Sequence, residues 1–213
     1  MCILLTQWVK DFIKNSLMLF EALDTIAGLL NDFIAPGSTD KPLVLSNISR
    51  LNDGDEFATA MNDKLIMSIV NIEEDRISKT PENFIKENSV IRYKNPPIHL
   101  NFTILFSATH TNYEQALLIL EKVIRFFQIK YVFTPADTLQ LQEFNETGNG
   151  SIEKIIFDLV NLNLEQVNQL WTTLGGHYMP SLVYKMRMIT IDERVIQKEG
   201  LPIKKIEGQF EQI

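Results

Sequence analysis

Residues 98–107 read IHLNFTILFS, a clear strand pattern in this sequence. Apolar side chains fall on every second position from Ile98 to Phe106, and polar side chains such as His99 and Asn101 fall between them. Because successive side chains of a strand point to opposite faces of the sheet, this alternation predicts a strand with one buried face.

Further apolar runs predict the neighbours of this strand. The run KLIMSIVNIE at residues 64–73 is apolar and β-branched on both faces, which is typical of a central strand that is covered on both sides. Shorter apolar runs predict strands at 42–48 and 152–160, and a last strand at 182–191. The charged, proline-marked stretch 75–95 is predicted to be a long surface loop.

A long helix is predicted at the N-terminus. Apolar residues from Leu5 to Phe33 recur at alternating steps of four and three, and the Pro-Gly pair at 36–37 ends the pattern. An unbroken helix over these residues would be roughly 45 Å long, which exceeds what one small core can cover. We therefore expect either that part of the stripe meets another chain or that residues 1–17 form a separate short helix.

Two more helices are predicted in the second half of the chain. Thr111 and Glu114 occupy capping-box positions and open a helix that runs to about Gln128. Its predicted inward residues are Tyr113, Ala116, Leu117, Leu120, Ile124 and Phe127. Asn163 is predicted to cap a helix over 164–174 that a Gly-Gly pair ends. Its predicted buried face consists of Leu164, Val167, Leu170, Trp171 and Leu174. The order of elements predicts an α+β domain with a mixed β-sheet flanked by helices.

Composition excludes several classes of function. The 213 residues carry a formal net charge of -7, and their longest basic cluster is Lys204-Lys205, so we expect no nucleic-acid partner. The single cysteine, Cys2, leaves no internal disulfide framework. No uncharged apolar run reaches the length of about 18 residues that a membrane span needs, so we expect no membrane insertion.

The residues that could carry chemistry do not form a recognisable site. The three histidines, His99, His110 and His177, share no metal-ligand spacing, and no cysteine accompanies them. Ser181 lies near His177, but it lacks the glycine-flanked turn of a nucleophile elbow, and backbone hydrogen bonding at a strand start is its expected role. The acidic run at 73–75 is expected to be an exposed strand end. The sequence therefore predicts no catalytic residue, cofactor or metal.

Four segments together are more specific than any of these motifs. Residues 164–184 contain LEQVNQLWTTLG followed by Tyr178 and SLVY. VNIEEDR at 70–76 closes the central strand, PPIHLNF at 96–102 leads into the next strand, and MLFEAL stands at 18–23. The combined pattern resembles the cap (tube-terminator) proteins of phage-tail-like contractile injection systems.

The resemblance covers about 18–195 and implies a tail-terminator-like fold and a structural role without catalytic residues or cofactors. It implies a ring, expected to be hexameric, that terminates the inner tube and the sheath at the baseplate-distal end. The inner-tube and sheath proteins are the implied partners, and assembly in the bacterial cytoplasm is expected. The alternatives are another structural adaptor of the same machine, from the baseplate or the sheath, and a small enzyme with no recognisable motif.

The resemblance also suggests a domain organisation. We expect an N-terminal helical extension at 1–17, the cap domain at 18–192 and a C-terminal tail at 193–213. Met18 is an alternative initiator, and the extension is otherwise a partner-binding helix.

The two terminal segments carry the candidate interface residues. An edge strand or a flexible terminus can complete the sheet of a neighbouring subunit, so the tail is expected to add to a neighbour or to the sheath. A disordered tail is the alternative. The predicted partner-interface residues are Leu201, Ile203, Ile206, Trp8 and Phe12.

Overall fold

The computed structural model describes residues 18–53, 56–76, 84–87, 90–96, 98–137, 152, 154–191 and 196–200. The helices are α1 (Met18–Ile34), α2 (Glu56–Ala60), α3 (Tyr113–Ile129) and α4 (Leu164–Thr173). The strands are β1 (Leu43–Leu45), β2 (Leu65–Glu74), β3 (Phe84–Glu87), β4 (Val90–Lys94), β5 (Ile98–Ala108), β6 (Val132–Phe133), β7 (Ile155–Leu159), β8 (Ser181–Ile191) and β9 (Ile196–Gly200). Short 3-10 helices span Ile48–Asp53 and Pro135–Asp137.

Six strands form the main sheet in the order β1-β2-β5-β8-β7-β6. Strand β1 is parallel to β2, and the other neighbours are antiparallel. The strand predicted from the alternation at 98–107, β5, lies between the two long strands β2 and β8. Strands β3, β4 and β9 form a second, smaller sheet. The predicted α+β class with a mixed sheet is therefore confirmed.

Helices α1 and α3 cover one face of the main sheet. Their apolar residues pack on strand residues such as Met67 and Phe106 in a core whose members are almost fully buried. Phe127 lies at the centre of an aromatic cluster, with ring centroids 4.5 Å from Phe157 and 4.6 Å from Tyr184. This cluster holds α3 on the sheet, because large buried rings contribute most of the apolar contact area.

Helix α4 and the 3-10 turn at Ile48–Asp53 cover the opposite face. Trp171 packs there with Ile66, Leu105 and Val183. The first half of β2 is thus buried on both faces, as its apolar sequence predicted, whereas its last four residues are exposed. Asn163 caps the start of α4 as expected and also forms a capping box with Gln166, and Gly175 ends the helix with a φ of 68°.

A side-chain bridge fixes the edge strand β1. Asn31 Nδ2 donates to the Leu43 carbonyl at 3.0 Å, and Asn31 Oδ1 accepts from the Leu43 N–H at 2.8 Å. An edge strand has one row of backbone groups without a strand partner, and here a helix side chain satisfies part of that row. These two hydrogen bonds therefore join helix α1 to strand β1.

Several sequence expectations are corrected. The stretch 75–95 is not only a loop, since it contributes β3 and β4, and β8 is not the last strand, because Ile196–Gly200 within the expected tail forms β9. Apolar residues are sparse and irregularly spaced in these strands, so their periodicity is weak. The expected extension at 1–17 lies outside the described residues.

The helix faces also differ from the predicted ones. The cap of α3 is Asn112, whose side chain accepts from the Glu114 N–H, rather than Thr111. The buried residues of α3 are Ala116, Ile119, Leu120, Val123, Phe126 and Phe127, so the inward stripe is rotated away from Tyr113, Leu117 and Ile124. Leu164 on α4 is 89% exposed. Helices α3 and α4 have more apolar residues than the core covers. The spacing of apolar residues therefore did not determine which of them are buried.

Candidate assembly surfaces

An open groove of about 410 Å³ lies between the N-terminal turns of α1 and strands β1 and β2. Its lining residues are Leu19, Phe20, Leu23, Leu45, Ser46, Asn47, Met67, Ser68 and Ile69. Leu23 and Met67 form the buried floor, and Phe20 stands at the rim with 53% of its surface exposed. A rim phenylalanine in water offers apolar area that a partner could cover.

The groove opens onto a strand edge. Strand β1 pairs with β2 only over Leu65–Met67, because the chain turns away after Leu45. Ser68 holds this turn: its Oγ donates to the Ser46 carbonyl and accepts from the Ile48 N–H at 3.1 Å. In the described part of the chain, no strand pairs with the outer edge of β2 from Ile69 to Glu73.

The free edge carries apolar surface as well as backbone groups. Ile72 is 54% exposed, and a register shift between Ile69 and Asn71 bends the strand next to the groove. An exposed strand edge with an apolar side chain is a template for a strand from another chain.

The surroundings of the groove are acidic. Helix α1 and strands β1 and β2 contain no lysine or arginine, and their carboxylates are Glu21, Asp24, Asp32, Glu73 and Glu74. Glu73 forms an ion pair of 2.9 Å with Lys185 on β8, and Glu74 lies 3.9 Å from Arg76. Glu21 and Asp24 are exposed on α1. This surface therefore favours a basic partner segment.

A second cavity, of about 230 Å³, lies beneath α4. Its walls include Val160, Leu170, Trp171 and Val183, and Ser181 lies at its side. Trp171 is buried as predicted, and its indole N–H has no hydrogen-bond partner among the described residues. Tyr178 is exposed and packs edge-on against Trp171, with their ring centroids 6.1 Å apart.

Helix α3 has an apolar flank that is exposed in the described part of the chain. Tyr113, Leu117 and Ile124, which were expected to face inward, are each at least 40% exposed. They lie on one stripe of the helix, since their spacings are four and seven residues. Arg125 and Glu121 form an ion pair on the outer surface beside this stripe.

The titratable residues form no reactive arrangement in the described ranges. Burial lowers the pKa of His110, an effect that nearby Asp63 opposes and Lys64 reinforces. No group of three or more His, Cys, Asp or Glu side chains in this part of the structure could hold a metal ion. Ser181 begins β8 opposite Ser107, in agreement with a backbone role at the strand start.

No described helix is both long and apolar enough to span a bilayer.

The predicted interface residues cannot be compared with these surfaces. Trp8 and Phe12 in the N-terminal segment, and Leu201, Ile203 and Ile206 in the tail, all lie outside the described residues. The sequence reasoning did not find the groove or the edge of β2. One feature of the sequence could have indicated this surface. The apolar residues Phe20 and Ile72 lie in α1 and β2, which carry acidic but no basic side chains.

The fold resembles two solved structures. One is the sheath/tube terminator of the PVC extracellular contractile injection system in its extended state, with 13% identity, a TM-score of 0.53, and coverage of 91% of this chain and 63% of that chain. The other is the anti-feeding prophage cap, described as a tube terminating cap, with 12% identity, a TM-score of 0.52, and coverage of 88% and 60%. The chain thus spans about three fifths of the length of these relatives.

No curated protein matches the sequence significantly. A family model, described as the Pvc16 N-terminal domain, matches residues 21–205. This match includes the two helix-bearing layers, the main sheet and the small sheet. Because it covers most of the 213 residues, the chain belongs to the Pvc16 N-terminal domain family.

Proposed function

We propose that this protein is a structural cap, which terminates the inner tube and the sheath of a contractile injection system at the end distal to the baseplate. The observation that carries the proposal is the family match over residues 21–205, together with a fold shared with a sheath/tube terminator and a tube terminating cap. The resemblance noted in the sequence, at 18–23, 70–76, 96–102 and 164–184, supports the same role.

The exposed surfaces support an assembly role. An apolar groove, a free strand edge and an apolar helix flank lie on the part of the chain described here, and each would be covered by a neighbour in an assembly. A terminator must bind the last ring of the tube and also prevent another layer from adding. The groove, the strand edge and the helix flank are distinct surfaces, so one can bind the last ring while another faces away from it.

The proposed assembly is a hexameric ring that matches the symmetry of the tube and contacts both tube and sheath proteins. It forms in the bacterial cytoplasm, has no catalytic or cofactor site, and contacts neither nucleic acid nor a membrane interior. In this organisation 1–17 is a helical extension, 18–192 is the cap domain and 193–213 is a tail. Trp8 and Phe12 of the extension, and Leu201, Ile203 and Ile206 of the tail, contact partners.

Removing the gene and measuring particle lengths by electron microscopy tests the cap. We expect tubes or sheaths of uncontrolled length, and a return to uniform length when the gene is restored. Particles of normal length with a missing or unstable baseplate would instead indicate a baseplate adaptor. Particles of normal length and normal architecture would refute a structural role in termination.

A further inference from the structure

We infer that the groove between α1 and β2 is an acceptor for the tail of a second copy of this chain, whose residues 201–206 add as a strand to the edge of β2. The inference rests on the proposed function in one respect, namely that copies of this chain associate. It names the two surfaces that join one subunit to the next.

The acceptor has the features that strand addition requires. Backbone groups of β2 from Ile69 to Glu73 pair with no strand in the residues described, and Ile72 is more than half exposed. The adjoining groove has an apolar floor at Leu23 and Met67 and an apolar rim at Phe20. Main-chain pairing supplies affinity in such additions, and side-chain pockets supply specificity.

The tail has the complementary sequence. Residues 201–206 read LPIKKI, in which Leu201 and Ile203 share one face of an extended segment. If residues 201 and 203 pair with the acceptor, Pro202, which has no N–H, occupies the position that faces away from it, as an added edge strand requires. Six extended residues span about 20 Å, which is enough to follow Ile69 to Glu73, the five residues of β2 whose outer edge pairs with no described strand.

The charges also match. Lys204-Lys205 is the longest basic cluster in a chain of net charge -7, whereas α1, β1 and β2 carry carboxylates and no basic side chain. Glu21 and Asp24 lie exposed on the helix that forms the groove wall. Lys185 and Arg76 are the basic groups that face the end of β2, and they already contact Glu73 and Glu74.

The position at which β9 ends supports a second copy as the donor. The pairing places Ile196 opposite Lys94, next to the connection into β5, and Gly200 opposite Ile91, farther along the small sheet. Strand β9 therefore ends on the side of the small sheet that is remote from the connection into β5. A donor tail and an acceptor edge at different places on one subunit form a head-to-tail contact, which closes into a ring when the rotation permits.

Cysteine crosslinking of the full chain tests the contact. Cys2 is replaced by serine, and a short bifunctional thiol reagent is added to a variant that carries Ile72→Cys and Ile203→Cys. We expect a ladder of covalent dimers and higher species on a denaturing gel. The matched control carries Gln169→Cys and Ile203→Cys, since Gln169 is also exposed but lies on α4, over the other face of the sheet, and it should give no ladder.

Charge reversal provides the second test. Glu21→Lys with Asp24→Lys, or Lys204→Glu with Lys205→Glu, should each weaken self-association about tenfold in sedimentation, and combining the two pairs should restore it. An intrachain crosslink alone, or an equally strong ladder in the control, would overturn the inference. Intact rings without the Ile72–Ile203 crosslink would overturn the inferred contact between tail and groove but not the cap role. Uniform particle lengths after gene removal would instead contradict the cap role.

Discussion

Asn31 connects helix α1 to the edge strand β1, and replacing it with alanine tests how the groove wall is held. The side chain is 8% exposed and makes two hydrogen bonds to Leu43, of 2.8 and 3.0 Å. Each bond contributes about 0.5–1.5 kcal/mol net, and a buried N–H or C=O left without a partner costs about 1–3 kcal/mol. We expect Asn31→Ala to lower the free energy of unfolding by about 2–4 kcal/mol.

Urea denaturation followed by far-UV circular dichroism measures this change. Asp32→Ala is the matched control, because Asp32 is the next residue of α1, is exposed, and gains a similar helix propensity on replacement by alanine. The control should change the free energy of unfolding by less than about 0.5 kcal/mol. If Asn31→Ala and Asp32→Ala gave equal values, the bridge to Leu43 would not stabilise the fold, and the reasoning would be refuted.

Three further changes probe other parts of the structure. Phe127→Ala removes the ring at the centre of the aromatic cluster, and calorimetry should show a loss of about 3–5 kcal/mol in the free energy of unfolding. The exposed Phe20 is the control: Phe20→Ala should cause only a small loss, and similar losses in both variants would contradict the assigned core. Gly175 has a φ of 68°, so Gly175→Ala should cost about 1 kcal/mol in urea denaturation, and an unchanged midpoint would count against this helix end. A hydrogen bond and ion pair with Lys130 lower the pKa of Asp137 from 3.8 to about 2. The ionised Asp137 therefore stabilises the folded state above pH 4, and this contribution is lost as the pH falls toward 2. Asp137→Asn should therefore lower the free energy of unfolding by up to about 1 kcal/mol at pH 7 and by less near pH 2. A difference between wild type and variant that grows as the pH falls would contradict this assignment.

Strong local patterns in the sequence predicted most of the main sheet. The alternation around Phe102 corresponds to β5, and the apolar run from Leu65 corresponds to the buried half of β2. The N-cap of α4, Asn163, was also evident, because it stands just before the apolar pattern of the helix, whereas its capping-box partner Gln166 was found only in the structure. The structure agrees at these local signals, but the helix α3 that was expected to be capped by Thr111 is capped by Asn112.

The remaining features depend on contacts between distant residues. Strands β3, β4 and β9 have weak periodicity, and β9 pairs with a strand about a hundred residues earlier in the chain. The buried face of α3 depends on where the aromatic cluster lies, so Phe126 faces inward and Tyr113 outward although both are apolar. The free edge of β2 exists because Ser68 turns the chain away after β1, which no local pattern reveals.

The position of the protein on the particle tests the cap role most directly. A Gln169→Cys variant in a Cys2→Ser background can carry a gold label, because Cys2 is the only cysteine in the sequence. Electron microscopy of labelled particles should show gold at one end only, opposite the baseplate. Labels at the baseplate or along the sheath would contradict the cap role.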